Sequence, residues 1–283
     1  MSPAPSLAAT SRPASTSQRT PAERWPQLAW LGLAGFAGPW TIWLSRIAQD
    51  HGLIGWHLPQ GLALWSILPA LALAVAGVSG RAGLRDLAGR LLRWHAPVWT
   101  YLVALGLPLG IAGATAALVA GTGGEVPVGR LMSLPAALAY LAYGTGLFLL
   151  TEEAAWRGAL LPGVQHRVGP AAASLIVGAA WAVWHLPLLA NPGEHDRGLP
   201  VAPFLILVIG TSVLVTGLVN AAGGSVIVAA VFHASFDACY SYLGIVGPEH
   251  VMLIVAAALT TTAAAALMLA TRGRLLLSRE AIR

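Results

Sequence analysis

The chain contains few charged residues and no lysine. Only 10% of its 283 residues are charged, whereas a soluble domain carries about 25%. Hydrophobic residues make up 57% of the chain, and the mean hydropathy is +0.71. These values exclude an ordinary soluble globular protein and predict an integral membrane protein that crosses the bilayer several times.

The basic residues are all arginine, 16 in number, and the sequence pI is about 10.1. The arginines cluster in particular segments between the apolar runs. This placement favours membrane topology and contact with lipid headgroups over nucleic-acid binding. We therefore expect the lipid bilayer, and no nucleic acid, among the partners. The composition, rich in arginine and alanine, indicates a GC-rich bacterium.

Cysteine is almost absent. The single Cys239 allows no internal disulfide and no cysteine-based metal cluster. Cys239 has no flanking base or cation that would activate it as a nucleophile. We therefore expect it to be a small packing residue.

Long apolar runs predict the fold class. At about 20 residues per crossing, the chain has room for about eight helices. We expect an all-α polytopic membrane protein whose helices surround an intramembrane polar cavity. The predicted spans lie at about 27–47, 60–79, 97–120, 131–156, 171–190, 201–221, 223–244 and 249–271.

The predicted transmembrane domain covers residues 25–272, with a motif-bearing core at about 130–245. Residues 1–24 are rich in Ser, Thr, Pro and Ala and predict a disordered N-terminal tail. Their lack of an apolar core argues against a cleavable signal peptide. Residues 273–283 predict a basic C-terminal tail.

Arginine placement also predicts the orientation in the membrane. Four arginines alternate with leucines in residues 80–95, a pattern typical of an amphipathic helix in the interface plane. If the N-terminus is cytoplasmic, most of the loop and tail arginines lie on that side. We therefore expect both termini in the cytoplasm, and the bacterial inner membrane as the location.

A few ionisable groups fall inside the apolar spans. Each costs roughly 2.5–3.5 kcal/mol at the bilayer centre, so such groups survive where they pair, line a wet cavity or do chemistry. We expect them to share one buried site. The groups are Glu152, Glu153, Arg157, His185, His233 and Asp237.

Helical spacing divides the two adjacent acids. Glu153 and Arg157 lie four residues apart, with the acid N-terminal, so they can neutralise each other on one helix face. Glu152 points roughly 100° away from Glu153. Glu152 is therefore the acid left to face another group. We expect the helix that carries this pair to continue past it as a long or tilted element.

The later motifs repeat this spacing. His233 and Asp237 are four residues apart on the seventh span, and an aspartate beside a histidine can fix the tautomer of the ring. Trp181 and His185 are four residues apart on the fifth span. These positions allow both imidazoles to reach the depth of Glu152.

Two forms of hydrolysis are open to this set. In one, Glu152 acts as a general base on water, and the imidazoles hold the water or stabilise an oxyanion. In the other, a divalent metal such as zinc activates the water. Its candidate ligands are Glu152, His185, His233 and Asp237.

The three motifs, in this order on separate spans, resemble those of the CAAX protease and bacteriocin-processing family of intramembrane endopeptidases, which includes the type II CAAX prenyl endopeptidase. The resemblance implies that Glu152 is the catalytic base. Glu153 and Arg157 would support it, and the two histidines would position water or stabilise the oxyanion. Asp237 would complete the polar shell.

Two positions depart from the usual motifs of that family. Trp181 stands where phenylalanine is usual, and Asp237 stands where asparagine is frequent. An aromatic lining role survives the first change. The second adds a negative charge, which makes metal binding more plausible.

The sequence thus predicts an intramembrane endopeptidase whose peptide or protein substrate enters from the membrane or the cytoplasmic face. A prenylated substrate is unexpected in a bacterium, so peptide or bacteriocin maturation is the favoured context. Two alternatives from other classes stay open. One is a proton-coupled transporter that uses Glu152 and the histidines as a relay. The other is a non-catalytic immunity or binding protein on the same scaffold.

Overall fold

The computed structural model of the chain describes residues 25–247 and 250–277. Within these residues every regular element is a helix and no strand is present. The predicted all-α membrane fold is confirmed. The predicted tail at 1–24 and the end of the chain from residue 278 lie outside the described residues.

Ten α-helices follow one another along the described chain, with one short 3₁₀ turn at Gln60–Leu62 and one π-helix at Ala154–Leu160. The α-helices are α1 Trp25–Asp50, α2 Ile67–Leu91, α3 Val98–Gly121, α4 Leu134–Leu150, α5 Leu161–Val168, α6 Pro170–Trp184, α7 Leu186–Ala190, α8 Val201–Ala221, α9 Val226–Tyr242 and α10 His250–Ala270.

Among the described residues, fewer helices qualify as membrane spans by length and composition than the eight that the sequence predicts. Among the described residues, five helical segments are long and apolar enough to cross a bilayer. A sixth is the bent pair formed by α4 and the helical stretch Ala154–Val168. Helix α9, with 17 residues, is shorter than a full span. A count of eight crossings stays a prediction.

The arginine-rich segment forms the second half of α2. A kink at Gly80, with φ +60° and ψ −157°, separates it from the apolar first half. Such a backbone conformation favours glycine. Beyond the kink Leu87 is buried, whereas Arg81 and Arg85 are exposed. The helix is therefore amphipathic, as predicted, and it ends at Leu91 rather than near residue 95.

Tryptophan occupies two environments. Trp25, Trp30, Trp56, Trp65 and Trp99 are exposed. Trp43, Trp156, Trp181 and Trp184 are instead buried in the helical core. Trp184 packs edge-on against Trp43 at 4.7 Å and Trp156 at 6.4 Å between ring centroids. This aromatic cluster joins α1, the π-helix and α6.

Small residues bring the site-bearing helices together. A methyl group added at Gly178 of α6 would lie 2.8 Å from Cβ of Ser212 in α8. One added at Gly144 of α4 would lie 3.3 Å from Cβ of Ala234 in α9. Close approach through small residues is the usual basis of helix association in a bilayer. In this protein, close packing places α4, α6, α8 and α9 around one cavity.

Packing continues beyond residue 272. The Ala171 amide donates to the Gly273 carbonyl at 3.2 Å, and Asn220 Nδ2 donates to the Leu275 carbonyl at 3.0 Å. Leu275 is fully buried. The start of the predicted C-terminal tail is therefore part of the packed structure.

Candidate active site

A break in the fourth span places the two acids. The Thr151 hydroxyl donates to the Leu147 carbonyl at 2.7 Å, and the backbone of Thr151 leaves the helical region at φ −118° and ψ −96°. Side-chain bonding of this kind bends helices, and a π-helix widens the turn that follows. The two halves meet at 41°. Glu152 and Glu153 lie at this break, so the long element predicted from the sequence is bent there.

Glu153 is fully buried and binds two partners through one oxygen. Its Oε1 accepts from Arg157 Nη1 at 2.8 Å and from His233 Nδ1 at 2.9 Å. A carboxylate paired with arginine can only accept hydrogen bonds, so His233 Nδ1 carries a hydrogen. In the neutral ring, the lone pair then lies on Nε2.

The tautomer of His233 is therefore set by Glu153, which corrects the expectation that Asp237 does so. Asp237 Oδ2 accepts instead from the Tyr140 hydroxyl at 3.2 Å. His233 and Asp237 lie four residues apart on α9, as predicted. The hydrogen bond from His233 Nδ1 goes instead to Glu153, which lies on another helical element. Phe148 stacks on the His233 ring at 3.7 Å and 4° and fixes its plane.

Glu152 points in another direction, as the helical spacing predicts. Its Oε2 accepts from Trp181 Nε1 at 2.7 Å. The Glu152 side chain lines a central cavity, whereas Glu153 and Arg157 do not. The guanidinium group of Arg157 lies over the Trp181 ring, with its central carbon 4.2 Å from the ring centroid. One acid of the pair faces the cavity, and the other holds supporting groups.

His185 reaches the same cavity from the end of α6. Its Nδ1 donates to the Trp181 carbonyl at 2.8 Å. The neutral ring then keeps its lone pair on Nε2, as in His233. Both imidazoles therefore act as acceptors through Nε2 when neutral, and each can donate from Nε2 only when protonated.

The cavity is large enough for a peptide side chain and part of its backbone. Its volume is about 350 Å³, within the usual range of ligand sites. Its polar lining includes Glu152, both histidines and Asp237. Most of its lining surface is apolar. The apolar lining includes Leu147, Trp184, Leu188, Phe204, Leu207, Val208 and Val246.

Residues that the sequence interpretation missed also line the cavity. Glu194, His195 and Asp196 come from the loop after α7. Asp196 is only 8% exposed, and burial raises its pKa to about 6. Burial also raises the pKa of Glu194. Nothing in a short polar loop indicates in advance that it folds over the site.

Tyr140 was missed as well, although a signal for it exists. Tyr140, Gly144, Phe148 and Glu152 follow one another at intervals of four residues. Residues at this spacing share a helix face. The face of α4 that leads to Glu152 was therefore readable from the sequence.

The four predicted metal ligands, Glu152, His185, His233 and Asp237, line the cavity. Over residues 25–247 and 250–277, no group of three or more His, Cys, Asp or Glu side chains is arranged to hold a metal ion. Metal binding by these residues stays a prediction.

One comparison with known proteins bears on this site. Residues 133–239 match the family model described as Rce1-like, Type II CAAX prenyl endopeptidase Rce1-like. The matched segment contains all six groups singled out in the spans. The match confirms the resemblance drawn from the three motifs. No curated protein matches the chain.

Proposed function

We propose, from the membership of residues 133–239 in the Rce1-like family of type II CAAX prenyl endopeptidases, that this protein is an intramembrane endopeptidase with Glu152 as its general base. The observation that carries the proposal is the division between the two acids. Glu153 is engaged by Arg157 and His233. Glu152 faces the cavity with Oε1 free of protein donors among the described residues.

The reaction can be written with the polar groups that line the cavity. Glu152 Oε1 takes a proton from a water molecule as the water oxygen bonds to the carbonyl carbon of the scissile peptide. The Nε2 lone pair of one of the two histidines, His185 or His233, accepts a hydrogen bond from the other hydrogen of that water and orients it. Cleavage of the C–N bond then returns the proton from Glu152 to the departing nitrogen. Water and peptide are consumed, and an acid and an amine are formed.

The substrate is a peptide segment of mixed character. The apolar lining suits hydrophobic side chains or a lipid-modified one, and the polar lining groups suit the scissile amide. The family description names a CAAX prenyl endopeptidase. The composition of this chain favours a bacterial enzyme of the inner membrane, and therefore a peptide substrate without a prenyl group. We place both termini of the enzyme in the cytoplasm. Fusions of a topology reporter to each end test that orientation.

The test uses the full chain reconstituted in lipid vesicles. Two internally quenched peptides are supplied, one carrying a farnesylated C-terminal CAAX sequence and one identical but unmodified. Glu152→Gln keeps the shape of the side chain and removes the base. We expect it to lower cleavage by at least about 10²-fold. Glu125→Gln, which alters an exposed loop carboxylate, is the matched control and retains activity.

Other outcomes identify other functions. Equal cleavage by Glu152→Gln and the unaltered protein would refute the role of Glu152. Substrate flux that follows the proton gradient, without a cleaved product, would indicate a transporter. A protective phenotype that survives Glu152→Ala would indicate an immunity or binding protein. Elemental analysis of the purified protein, together with cleavage after chelation, tests the metal alternative separately.

A further inference from the structure

Trp181 contacts four groups of the site, which are Glu152, Arg157, His185 and His233. Its indole N–H donates to Glu152 Oε2 at 2.7 Å, and the guanidinium of Arg157 lies over its ring. The ring centroid is 5.2 Å from that of His233 and 5.5 Å from that of His185. Its carbonyl also accepts from His185 Nδ1. Trp181 itself is held in place, since only 3% of its surface is exposed.

The Glu152 carboxylate depends on this residue for its orientation. Within the described part of the chain, the Trp181 N–H is the one hydrogen-bond donor to Glu152. The terminal torsion of a glutamate side chain is broad, so a carboxylate without a fixed donor samples many orientations. A donor fixed at Oε2 directs Oε1 into the cavity.

We infer that Trp181 is the positioning residue of Glu152, and that its indole N–H, rather than its aromatic surface, performs this role. The inference rests on the proposed function. Phenylalanine, the usual residue at the start of this motif, has a similar ring face and no donor. The tryptophan therefore adds to this chain a hydrogen bond that the usual motif cannot make.

Replacement variants separate the donor from the ring. Trp181→Phe removes the N–H and keeps an aromatic side chain. Incorporation of 3-benzothienylalanine at position 181 keeps the bicyclic shape and replaces N–H by sulfur, and 5-fluorotryptophan at the same position keeps the N–H. Trp40→Phe is the matched control, because the Trp40 indole donates to the Trp184 carbonyl at 3.0 Å and lies outside the cavity lining.

We expect Trp181→Phe and the benzothienyl variant to lower kcat by about ten- to a hundredfold, the range for a hydrogen bond to a charged group, with KM nearly unchanged. The fluorinated variant and Trp40→Phe should keep kcat within about threefold, well below the effect of a lost charged hydrogen bond. If the benzothienyl and fluorinated variants have equal kcat, or if KM alone changes, the positioning role is overturned.

A second measurement does not depend on cleavage. The indole ¹H–¹⁵N resonance that disappears in Trp181→Phe belongs to Trp181. We expect that resonance to move when Glu152 is replaced by Ala, while the Trp40 resonance stays in place. An unmoved Trp181 resonance would show that the hydrogen bond is absent. If the resonance shifts but the unaltered protein cleaves no peptide, the hydrogen bond is present and the proposed function is wrong.

Discussion

Glu153 Oε1 lies 2.9 Å from His233 Nδ1 and joins the acidic motif of the fourth span to the histidine of α9. The two residues are 80 positions apart in the chain. This contact, together with the 2.8 Å contact to Arg157, makes Glu153 the point where two supporting groups meet. Glu153, Arg157 and His233 are all buried. Replacement of any one of them should therefore lower the free energy of unfolding substantially.

Removal of either member of the Glu153–Arg157 pair should destabilise the protein strongly. A buried charge left without its partner costs about 3–5 kcal/mol, whereas replacement of both by apolar side chains is often close to neutral. We expect Glu153→Met and Arg157→Met each to lower the free energy of unfolding by that amount. The double variant should be more stable than either single variant, as measured by denaturation in detergent.

The double variant also separates folding from activity. Because it still lacks the acceptor for His233 Nδ1, we expect it to fold and to cleave at least about tenfold more slowly, the loss of a hydrogen bond to a charged group. Full activity in the folded double variant would mean that Glu153 serves only as the ion-pair partner of Arg157.

Asp237 should tolerate asparagine. Its carboxylate accepts from the Tyr140 hydroxyl at 3.2 Å, and an asparagine carbonyl can accept the same bond. We expect Asp237→Asn to change kcat/KM by less than about tenfold, or about 1.4 kcal/mol. Asp237→Leu leaves the Tyr140 hydroxyl unpaired and should cost about 1–3 kcal/mol of stability. A loss of activity in Asp237→Asn as large as that in Glu152→Gln would show that the negative charge itself takes part.

The amphipathic end of α2 should support the π-helix. Arg90 Nη1 donates to the Gly158 carbonyl at 2.9 Å. Carbonyls of a π-helix lack regular α-helical partners, so this bond stabilises the segment that follows Glu153. We expect Arg90→Gln to lower stability by about 1–2 kcal/mol and to reduce cleavage. Arg85→Gln is the control, because Arg85 lies on the same helix and is exposed. If the two variants lost equal stability and activity, the effect would come from the loss of a positive charge and not from the bond to Gly158.

Close packing of α6 and α8 should be sensitive to a single methyl group. At Gly178 the added carbon would lie 2.8 Å from Cβ of Ser212 and 3.3 Å from Cα of Ile209, and neither can move aside alone. We expect Gly178→Ala to cost about 1–3 kcal/mol in thermal unfolding. Gly110→Ala meets no atom within 4 Å and should be neutral or stabilising, since glycine weakens a helix interior by about 0.5–1 kcal/mol relative to alanine.

The Asp196 loop should make stability depend on pH. Burial raises the pKa of Asp196 from 3.8 to about 6, with His195, Glu194 and Asp237 as its charged neighbours. The folded state therefore binds a proton more tightly than the unfolded state, and stability falls as the pH rises from about 4 to about 6. Asp196→Asn cannot ionise, so we expect its melting temperature to fall less over this interval. Glu125→Gln is the control for an exposed carboxylate, and identical pH profiles for Asp196→Asn and the unaltered protein would contradict the prediction.

Much of the site was accessible from the sequence because charge is so unfavourable in a bilayer. Six ionisable groups inside apolar runs were enough to identify the elements that meet, and the four-residue spacing separated Glu152 from Glu153. The structure brings four of these groups to one cavity, and Glu153 and Arg157 support them from outside its lining. The role of each in catalysis stays a prediction, as does the orientation of the chain in the membrane.

Other features could not be predicted because they depend on contacts between distant segments. The partner of His233 is Glu153 rather than Asp237, since the packing of α9 against the broken fourth span decides which acid is nearest. The loop that carries Glu194, His195 and Asp196 has no periodicity that shows where it folds. The indole N–H of Trp181 has an evident purpose only when Glu152 is found beside it.

The sequence by itself determined the membrane environment, the all-helical architecture and the identity of the polar groups, because hydropathy and helical periodicity are local properties of the chain. Only the tertiary structure decided which group binds which, where the fourth span bends and which acid faces the cavity. Those outcomes depend on side-chain distances of about 3 Å, which packing between helices sets and which spacing along one helix does not.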